Sequence, residues 1–115
     1  MDKHGQYKGE FLQGMRHGEG TLENAEGDAF TGRWQNDELE GSAKVKYRNG
    51  NYYVGYIHKW KPEGRGVLRL LDGTEFKGDF MNGKRHGMMT IVHSDGAIEK
   101  ALYVADIRIE GARNN

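Results

Sequence analysis

The sequence has no cysteine and only one proline, Pro62, and its longest unbroken apolar run is ALYVA, from Ala101 to Ala105. Without cysteine it can form neither a disulfide nor a thiolate metal site, which fits a reducing compartment. The apolar run is too short for a membrane span or the core of a signal peptide. We therefore expect a cytoplasmic protein.

Charge of one sign is not in excess either, since 17 Lys and Arg residues balance 17 Asp and Glu residues. A neutral chain has no overall attraction for nucleic acid, and none is expected as a partner, although a local basic patch stays open. Apolar residues make up 36% of the chain, which predicts a thin core within one domain, residues 1–115.

Groups that would indicate catalysis are scarce. The only serines, Ser42 and Ser94, have no strand–turn–helix setting, and the Gly-x-Gly steps do not open a helix. His17 and His86 precede turn glycines, where a hydrogen-bonded turn side chain is the simpler interpretation. We predict no catalytic residue, no cofactor and no metal site, so an enzyme is not indicated.

Glycine, by contrast, is abundant, with 18 residues in 115. The glycines recur at a fixed spacing, that from Gly9 to Gly32, together with aromatic residues two positions before them. The leading columns are Tyr7, Phe30, Tyr53 and Phe76, then Gly9, Gly32, Gly55 and Gly78, then Phe11, Trp34, Ile57 and Phe80. A fixed period of this length is typical of a repeat architecture.

Each unit has the pattern of a β-hairpin. Segments such as YKGEF and FKGDF alternate apolar or small residues with polar ones, and Asx-Gly turn signals separate them from second strands such as SAKVKY. Four hairpins give about eight antiparallel strands. Alternation puts Tyr7, Gly9 and Phe11 on one face, where rings can lie over glycines, and Lys8 and Glu10 on the other, solvated face.

These columns resemble the MORN repeat (membrane occupation and recognition nexus), whose pattern is close to Tyr-x-Gly-x-Trp, then Gly, then His-Gly-x-Gly. The units are residues 7–29, 30–52, 53–75 and 76–98, with YKGEFLQGMRHGEGTLENAEGD the best match. Asp37 and Trp60 stand where the turn glycine of the pattern is expected. The resemblance implies an all-β fold: a single-layer, twisted antiparallel sheet of consecutive hairpins, with about 8–10 strands.

A degenerate fifth unit, residues 99–111, follows the four. Glu99 and Ala101 stand where an aromatic residue and a glycine would, and only Tyr103 fits its column. Terminal repeats often diverge to cap the array. The alternation in DIRIE favours a capping strand, whereas IEKALYV alternates poorly and leaves a short helix open.

The resemblance implies a scaffold or targeting module rather than one defined activity. Proteins with such repeats serve as cytoskeletal, ciliary or cortical scaffolds, as targeting modules attached to enzymes, and as components of membrane junctions, and phosphoinositide binding has been proposed for some. We expect a non-enzymatic adaptor that holds a partner peptide or helix in an aromatic groove. A fragment of a larger enzyme is a further alternative.

The predicted partner-binding residues are aromatic, with Trp60 and Tyr56 singled out because the repeat does not require them there. The full set is Tyr7, Phe11, Phe30, Trp34, Tyr53, Tyr56, Trp60, Phe76 and Phe80. The structural alternative is that these side chains form the core and that Trp60 packs against Pro62 and its own turn.

A second surface is the row of basic residues at the turns, which could meet an anionic membrane. This row consists of Arg16, Lys59, Lys61, Arg65, Lys84 and Arg85. Asp37, Glu38 and Glu40 interrupt it. Self-association through the open edges of the end strands is a further expectation.

Overall fold

The computed structural model describes residues 5–110, and every regular element in that range is a β-strand. The strands are β1 (Gln6–Leu12), β2 (Met15–Glu23), β3 (Ala29–Gln35), β4 (Glu38–Lys46), β5 (Tyr52–His58), β6 (Lys61–Arg69), β7 (Glu75–Met81), β8 (Lys84–Arg85), β9 (Gly87–Val92), β10 (Ile98–Val104) and β11 (Ile107–Ile109). Residues 5–110 include no helix long and apolar enough to cross a membrane.

All strands join one open antiparallel sheet in sequence order, β1 to β7, then β9, β10 and β11. The short β8 pairs with β7, and β9 continues the same side of that hairpin after an irregularity at His86. The elongated molecule measures 62 × 24 × 21 Å. The predicted fold of consecutive hairpins is confirmed. Residues 5–110 form eleven strands because the second strand of the fourth hairpin is divided into β8 and β9.

Each hairpin closes through a turn of two residues, both in the left-handed backbone region. These five hairpin turns are residues 13–14, 36–37, 59–60, 82–83 and 105–106. Left-handed pairs form the turns that match the twist of β-hairpins, and they favour Gly, Asn or Asp. Trp60, with φ of 69°, is the exception among the second residues of these turns.

The core lies on one face of the sheet, because strand side chains alternate. Its buried side chains come from every hairpin: Leu22, Phe30, Trp34, Leu39, Ala43, Val45, Tyr53, Ile57, Phe76, Phe80, Met89, Ile91, Ala101 and Tyr103. Each large apolar side chain buried in this way contributes roughly 1.5–3 kcal/mol. The same face of successive strands therefore forms one continuous apolar layer.

Glycines make the floor on which the tyrosines of this face lie. A Cβ at Gly20 would overlap the Tyr7 ring, and a Cβ at Gly66 would overlap the Tyr53 ring. The Tyr53 hydroxyl donates to the carbonyl of Tyr56 at 2.9 Å. Burial raises the pKa of Tyr53, so this hydroxyl remains a donor. The prediction that rings lie over glycines is confirmed.

The opposite face, which we call the outer face, is polar over most of its length. Arg33 pairs with Glu19 at 3.3 Å, and Arg65 pairs with Asp79 at 3.5 Å, all with largely exposed side chains. Exposed ion pairs of this kind add little stability. The outer face therefore lies in solvent, and the core on the opposite face stabilises the sheet.

The fifth hairpin, β10 and β11, settles the alternative left open at the end of the chain. Its residues up to 110 are strand and turn, so the helix interpretation of IEKALYV is wrong, and residue 111 lies outside the described residues. Ala101 and Tyr103 point into the core, while Leu102 and Val104 are exposed on the outer face. Cross-strand pairing sets these two beside Ile109 and Ile107, so the outer face becomes apolar here.

Candidate functional site

Five of the predicted partner-binding aromatics belong to the core. They are Phe30, Trp34, Tyr53, Phe76 and Phe80, each no more than 6% exposed. A partner contacts exposed surface, so these side chains cannot line a docking groove in this structure. Their place in the core agrees with the structural alternative.

Tyr56 points away from the aromatic face. It alternates with the buried Ile57 along β5, and its side chain is exposed on the outer face. Trp60 lies on the aromatic face instead, against Phe30 and Trp34. Tyr56 and Trp60 therefore lie on opposite faces of the sheet, and their contact with a partner stays a prediction.

Trp60 keeps both core contacts and an exposed surface. Its ring centroid lies 5.2 Å from that of Phe30 and 5.7 Å from that of Trp34, and 43% of the residue is exposed. It packs on aromatic side chains of the preceding hairpin, which neither interpretation of the sequence anticipated. Tyr7 and Phe11, with ring centroids 5.0 Å apart, and the partly buried Tyr47 are further aromatics of this face with accessible surface.

Successive hairpin turns are joined by backbone hydrogen bonds. The Asp37 N–H donates to the Arg16 carbonyl at 3.1 Å, and the Asp106 N–H donates to the Arg85 carbonyl at 2.9 Å. The Gly83 N–H makes the equivalent bond to the Pro62 carbonyl at 2.9 Å. We call each of these bonds, with the side-chain bonds described next, a turn latch.

At two latches an aspartate completes the connection. The Asp37 carboxylate accepts from the backbone N–H of Arg16 at 2.7 Å and from its Nε at 3.2 Å. Asp106 accepts from the same two groups of Arg85 at 2.9 and 2.7 Å. The third latch has no such acceptor at Gly83 and needs none, because Pro62 has no backbone N–H.

These contacts set the pKa values of both carboxyl groups. The backbone N–H of Arg16, followed by its side chain, holds the pKa of Asp37 below its usual value. Burial by itself raises the pKa of Asp106, but the hydrogen bonds and charge of Arg85 outweigh it, and the net shift is downward. Both aspartates therefore remain ionised in mild acid.

Arg16 and Arg85 are held within the fold. The Arg16 guanidinium carbon lies 5.0 Å from the Trp34 ring centroid, and that of Arg85 lies 4.6 Å from Phe76 and 4.7 Å from Tyr103. Stacked on rings and paired with aspartates, they are not available to lipid phosphates. These contacts argue against the lipid-binding role predicted for the two arginines as members of the basic row.

The other predicted basic residues are exposed. Arg65 pairs with Asp79 on the outer face, away from the turns. Lys59, Lys61 and Lys84 lie at the third and fourth hairpin turns, and residues 5–110 provide no ion pair to them.

The latch is missing between the second and third hairpin turns. By the repeat, the Trp60 N–H would donate to the Leu39 carbonyl, and no such bond occurs among the described residues. A pocket of about 640 Å³, which we call the Trp60 cleft, lies at this step. Its lining consists of Arg16, Asn36, Asp37, Glu38, Leu39, Glu40, Ile57, His58, Lys59 and Trp60.

Sequence reasoning missed the aspartates of the latches and the apolar wall of the cleft. In the sequence, Asp37 stands out only as a departure from the glycine pattern. Asp37 follows Arg16 by the same interval as Asp106 follows Arg85, and this equal spacing was a usable signal. Leu39 and Ile57 carried no comparable signal, since they have the pattern of ordinary core residues.

Within residues 5–110, no group of three or more metal-ligating side chains comes together.

Comparison with protein families agrees with the hairpin geometry. The MORN repeat matches at residues 7–29, 30–52 and 76–88, just over half of the chain, and each match begins within the first strand of a hairpin. A comparison with curated proteins found no match. Repeats of this family are generally non-catalytic modules for interaction with proteins or membranes. On these matches, the chain belongs to the MORN-repeat family.

Proposed function

We propose that this protein is a non-enzymatic adaptor that binds a segment of a partner protein, a peptide or a helix, at the Trp60 cleft. The observation that carries the proposal is the position of Trp60. The other four hairpin turns have Gly14, Asp37, Gly83 and Asp106 at this place. A tryptophan there leaves the latch open and leaves aromatic surface exposed beside a pocket.

The backbone of Trp60 supports the same interpretation. A left-handed conformation costs an L-residue with a side chain roughly 1–2 kcal/mol, which glycine would avoid. Strained positions of this kind are found preferentially at functional sites. Tryptophan is also among the residue types most enriched where binding energy is concentrated.

The cleft suits a large apolar side chain of the partner. Trp60 contributes exposed apolar surface, and Leu39 and Ile57 line the cleft but are largely buried. The charged lining, with Glu38 and Glu40, forms the surroundings. Apolar centres with polar rims are the usual anatomy of interaction surfaces. The strands beneath are held by ladder bonds on both sides, which provides a rigid platform.

We further propose that the hairpins at residues 53–75 and 99–111 are diverged repeats of the same family. The first keeps the two-strand geometry and ladder register of its neighbours, and the second keeps it as far as residue 110. The divergence of the first includes Trp60, which gives that hairpin its own contacts with Phe30 and Trp34. On the family resemblance, the setting we propose is cytoplasmic, at the cytoskeleton, a cilium or the cell cortex.

Affinity capture from cell extract tests the adaptor role. The variant is Trp60→Gly, which introduces the residue present at the equivalent Gly14 and Gly83 and therefore preserves the turn. The matched control is Tyr56→Ala, which removes a similarly exposed aromatic from the outer face. We expect a discrete protein to be captured by the parent and by Tyr56→Ala, and to fall at least tenfold with Trp60→Gly.

Equal capture by Trp60→Gly and the parent, with circular dichroism showing both folded, would refute the cleft as the docking site. Loss with Tyr56→Ala alone would move the site to the outer face.

Binding to an anionic membrane is the second candidate, supported by the exposed Lys59, Lys61 and Lys84. Each lysine near such a surface is worth about 1 kcal/mol. Co-sedimentation with vesicles containing phosphatidylserine would then fall steeply with added salt and on Lys59→Glu/Lys84→Glu. Salt-independent or absent sedimentation would exclude this candidate.

A further inference from the structure

One contact recurs where one hairpin meets the next on the aromatic face. Arg16 of the first hairpin lies over Trp34 of the second, and Arg85 of the fourth lies over Tyr103 of the fifth. The carbonyl of the same arginine accepts the latch bond from the following turn. An arginine on one hairpin and an aromatic ring on the next are thus two halves of one contact.

The fifth hairpin has the arginine of this contact, but residues 5–110 include no following hairpin that could provide the aromatic ring. Arg108 lies one repeat after Arg85, at the same place in its hairpin. Its side chain pairs with Glu99 at 2.9 Å and Glu110 at 3.5 Å, but no ring of a following hairpin is present within residues 5–110. Arg108 therefore lies at an incomplete contact.

The backbone N–H and C=O of Arg108 are also placed to pair with a further strand. Val104 and Ile107 flank the two-residue turn and exchange the closing hydrogen bonds of this hairpin. Bonding alternates along an antiparallel pair, so the N–H and C=O of Arg108 point away from β10. No strand of the described chain lies on that side of β11.

The first hairpin has the aromatic ring of this contact, but residues 5–110 include no preceding hairpin that could provide the arginine. Phe11 lies one repeat before Trp34, at the equivalent place in β1. Its residue is 60% exposed, whereas Trp34, which has Arg16 above it, is 1% exposed. No described strand pairs with the outer edge of β1, and Gly14 is at the turn position from which Asp37 donates its latch bond.

We propose that copies of this chain associate head to tail, with β11 of one copy pairing with β1 of the next. The ladder between β2 and β3 sets Gly18 opposite Trp34. The same register places Glu110 opposite Phe11 of the next copy and Ile109 opposite its Leu12. Arg108 then stacks on that Phe11, and the Gly14 N–H of the next copy donates to the Arg108 carbonyl.

Apolar surface at the two ends agrees with this register. Leu12 is 52% exposed at one end of the sheet, and Ile109 is 41% exposed at the other, next to Leu102. The register brings Ile109 and Leu12 together as direct cross-strand neighbours on one face, where such pairs stabilise a sheet. Between the middle hairpins the same places pair Glu40 with His58 and Glu63 with Met81, so each of these pairs includes a charged residue.

Symmetric pairing fits the same surfaces less well. Two β11 strands paired through a two-fold axis at Arg108 would set like charges directly opposite each other, which is unfavourable. Two β1 strands would leave both Phe11 rings without an arginine. A head-to-tail contact is heterologous, so it repeats along an open chain of molecules instead of closing at a dimer.

Sedimentation equilibrium with complementary variants tests this assembly. Phe11→Ser disables the β1 end, and Arg108→Glu disables the β11 end. The parent is expected to gain mass beyond a dimer as its concentration rises, while each variant alone stays monomeric. An equimolar mixture of the two variants is expected to give a dimer and nothing larger, because the mixture has one intact pair of ends.

Three results would overturn the proposal. They are a parent that stays monomeric up to its solubility limit, association of Phe11→Ser that equals the parent's, and a mixture of variants that stays monomeric while the parent associates. Arg65→Glu, which reverses an exposed and paired arginine on the outer face, controls for charge and is expected to behave like the parent. Circular dichroism confirms that every variant is folded.

This inference does not rest on the partner-binding role of the Trp60 cleft. Trp60→Gly is expected to leave head-to-tail association unchanged, and Phe11→Ser is expected to leave partner capture unchanged. The failure of one proposal is therefore visible separately from the failure of the other.

Discussion

At the scale of single residues, the absence of a Cβ atom at Gly66 leaves room for the ring of Tyr53. Gly66 lies beneath the buried Tyr53, whose hydroxyl reaches past it to the Tyr56 carbonyl. Gly66 has no left-handed backbone, so glycine is required there for space and not for conformation. The equivalent Ala43, in the second hairpin, occurs where no tyrosine occupies the leading column, because Phe30 stands there.

Gly66→Ala is expected to destabilise the protein by about 1–3 kcal/mol, the usual cost of forcing extra atoms into a packed site. Urea unfolding followed by tryptophan fluorescence measures the change. Gly41→Ala is the control, since a Cβ there meets nothing within 4 Å and only its left-handed φ of 68° is penalised. A loss at Gly66 no larger than that at Gly41 would contradict the packing argument.

At the scale of elements, the hairpins are joined by strand ladders and by the latches at their turns. An aspartate or a glycine at the second turn position completes each latch, and the residue it contacts differs to match: Arg16 and Arg85 have an N–H to bind, while Pro62 has none. Trp60 fits neither arrangement, and the cleft follows from that substitution. Among the described turns, the latch is therefore missing at one step only, between the second and third hairpins.

The latches predict a dependence of stability on acid. The folded-state pKa values of Asp37 and Asp106 are lowered, so their stabilisation is complete above the unfolded pKa, near 4, and is lost as pH falls through the folded values. Asp37→Asn/Asp106→Asn is therefore expected to be less stable than the parent at pH 7, with the difference narrowing below pH 4. Urea midpoints across this range measure it, and a difference independent of pH would argue against the latches.

At the scale of the whole molecule, each hairpin contacts only its neighbours along a body 62 Å long. Stability in such an array is close to a sum of nearest-neighbour contributions. The first and last hairpins have one neighbour each within the described chain, and both expose apolar side chains. Phe11 and Ile109 are examples. The end hairpins are therefore expected to be the least stable, and pairing with a second copy would stabilise them most.

Amide hydrogen exchange is expected to show this gradient at low protein concentration. Ladder amides of β4 to β7 should exchange most slowly, and those of β1 and β11 fastest, because opening an end breaks one interface and opening the middle breaks two. On raising the concentration, protection should increase first at β11 and β1 if copies associate head to tail. Uniform protection along the sheet would contradict the one-dimensional description.

The period of the sequence was sufficient to predict the fold. Glycines and aromatics recurring at one fixed spacing specified hairpins, the face on which rings lie, and the solvated face, because strand alternation and turn chemistry are local properties. The candidate site was predicted less well. Trp60 was singled out as an exception to the repeat, but its contacts with Phe30 and Trp34 were not predicted. Arg16 was assigned to the basic row, whereas it stacks on Trp34.

The sequence by itself determined the repeat, the first four hairpins and the alternation of side chains, since turn chemistry and strand alternation depend on residues close together in the chain. Only the tertiary structure decided which aromatics are buried and which are accessible, because burial depends on the neighbouring hairpin, as with Trp34 beneath Arg16 and Phe11 without a counterpart. It also paired Arg16 with Asp37 and left Trp60 beside a cleft. Those contacts join residues about one repeat apart, and only the lateral pairing of strands brings them together.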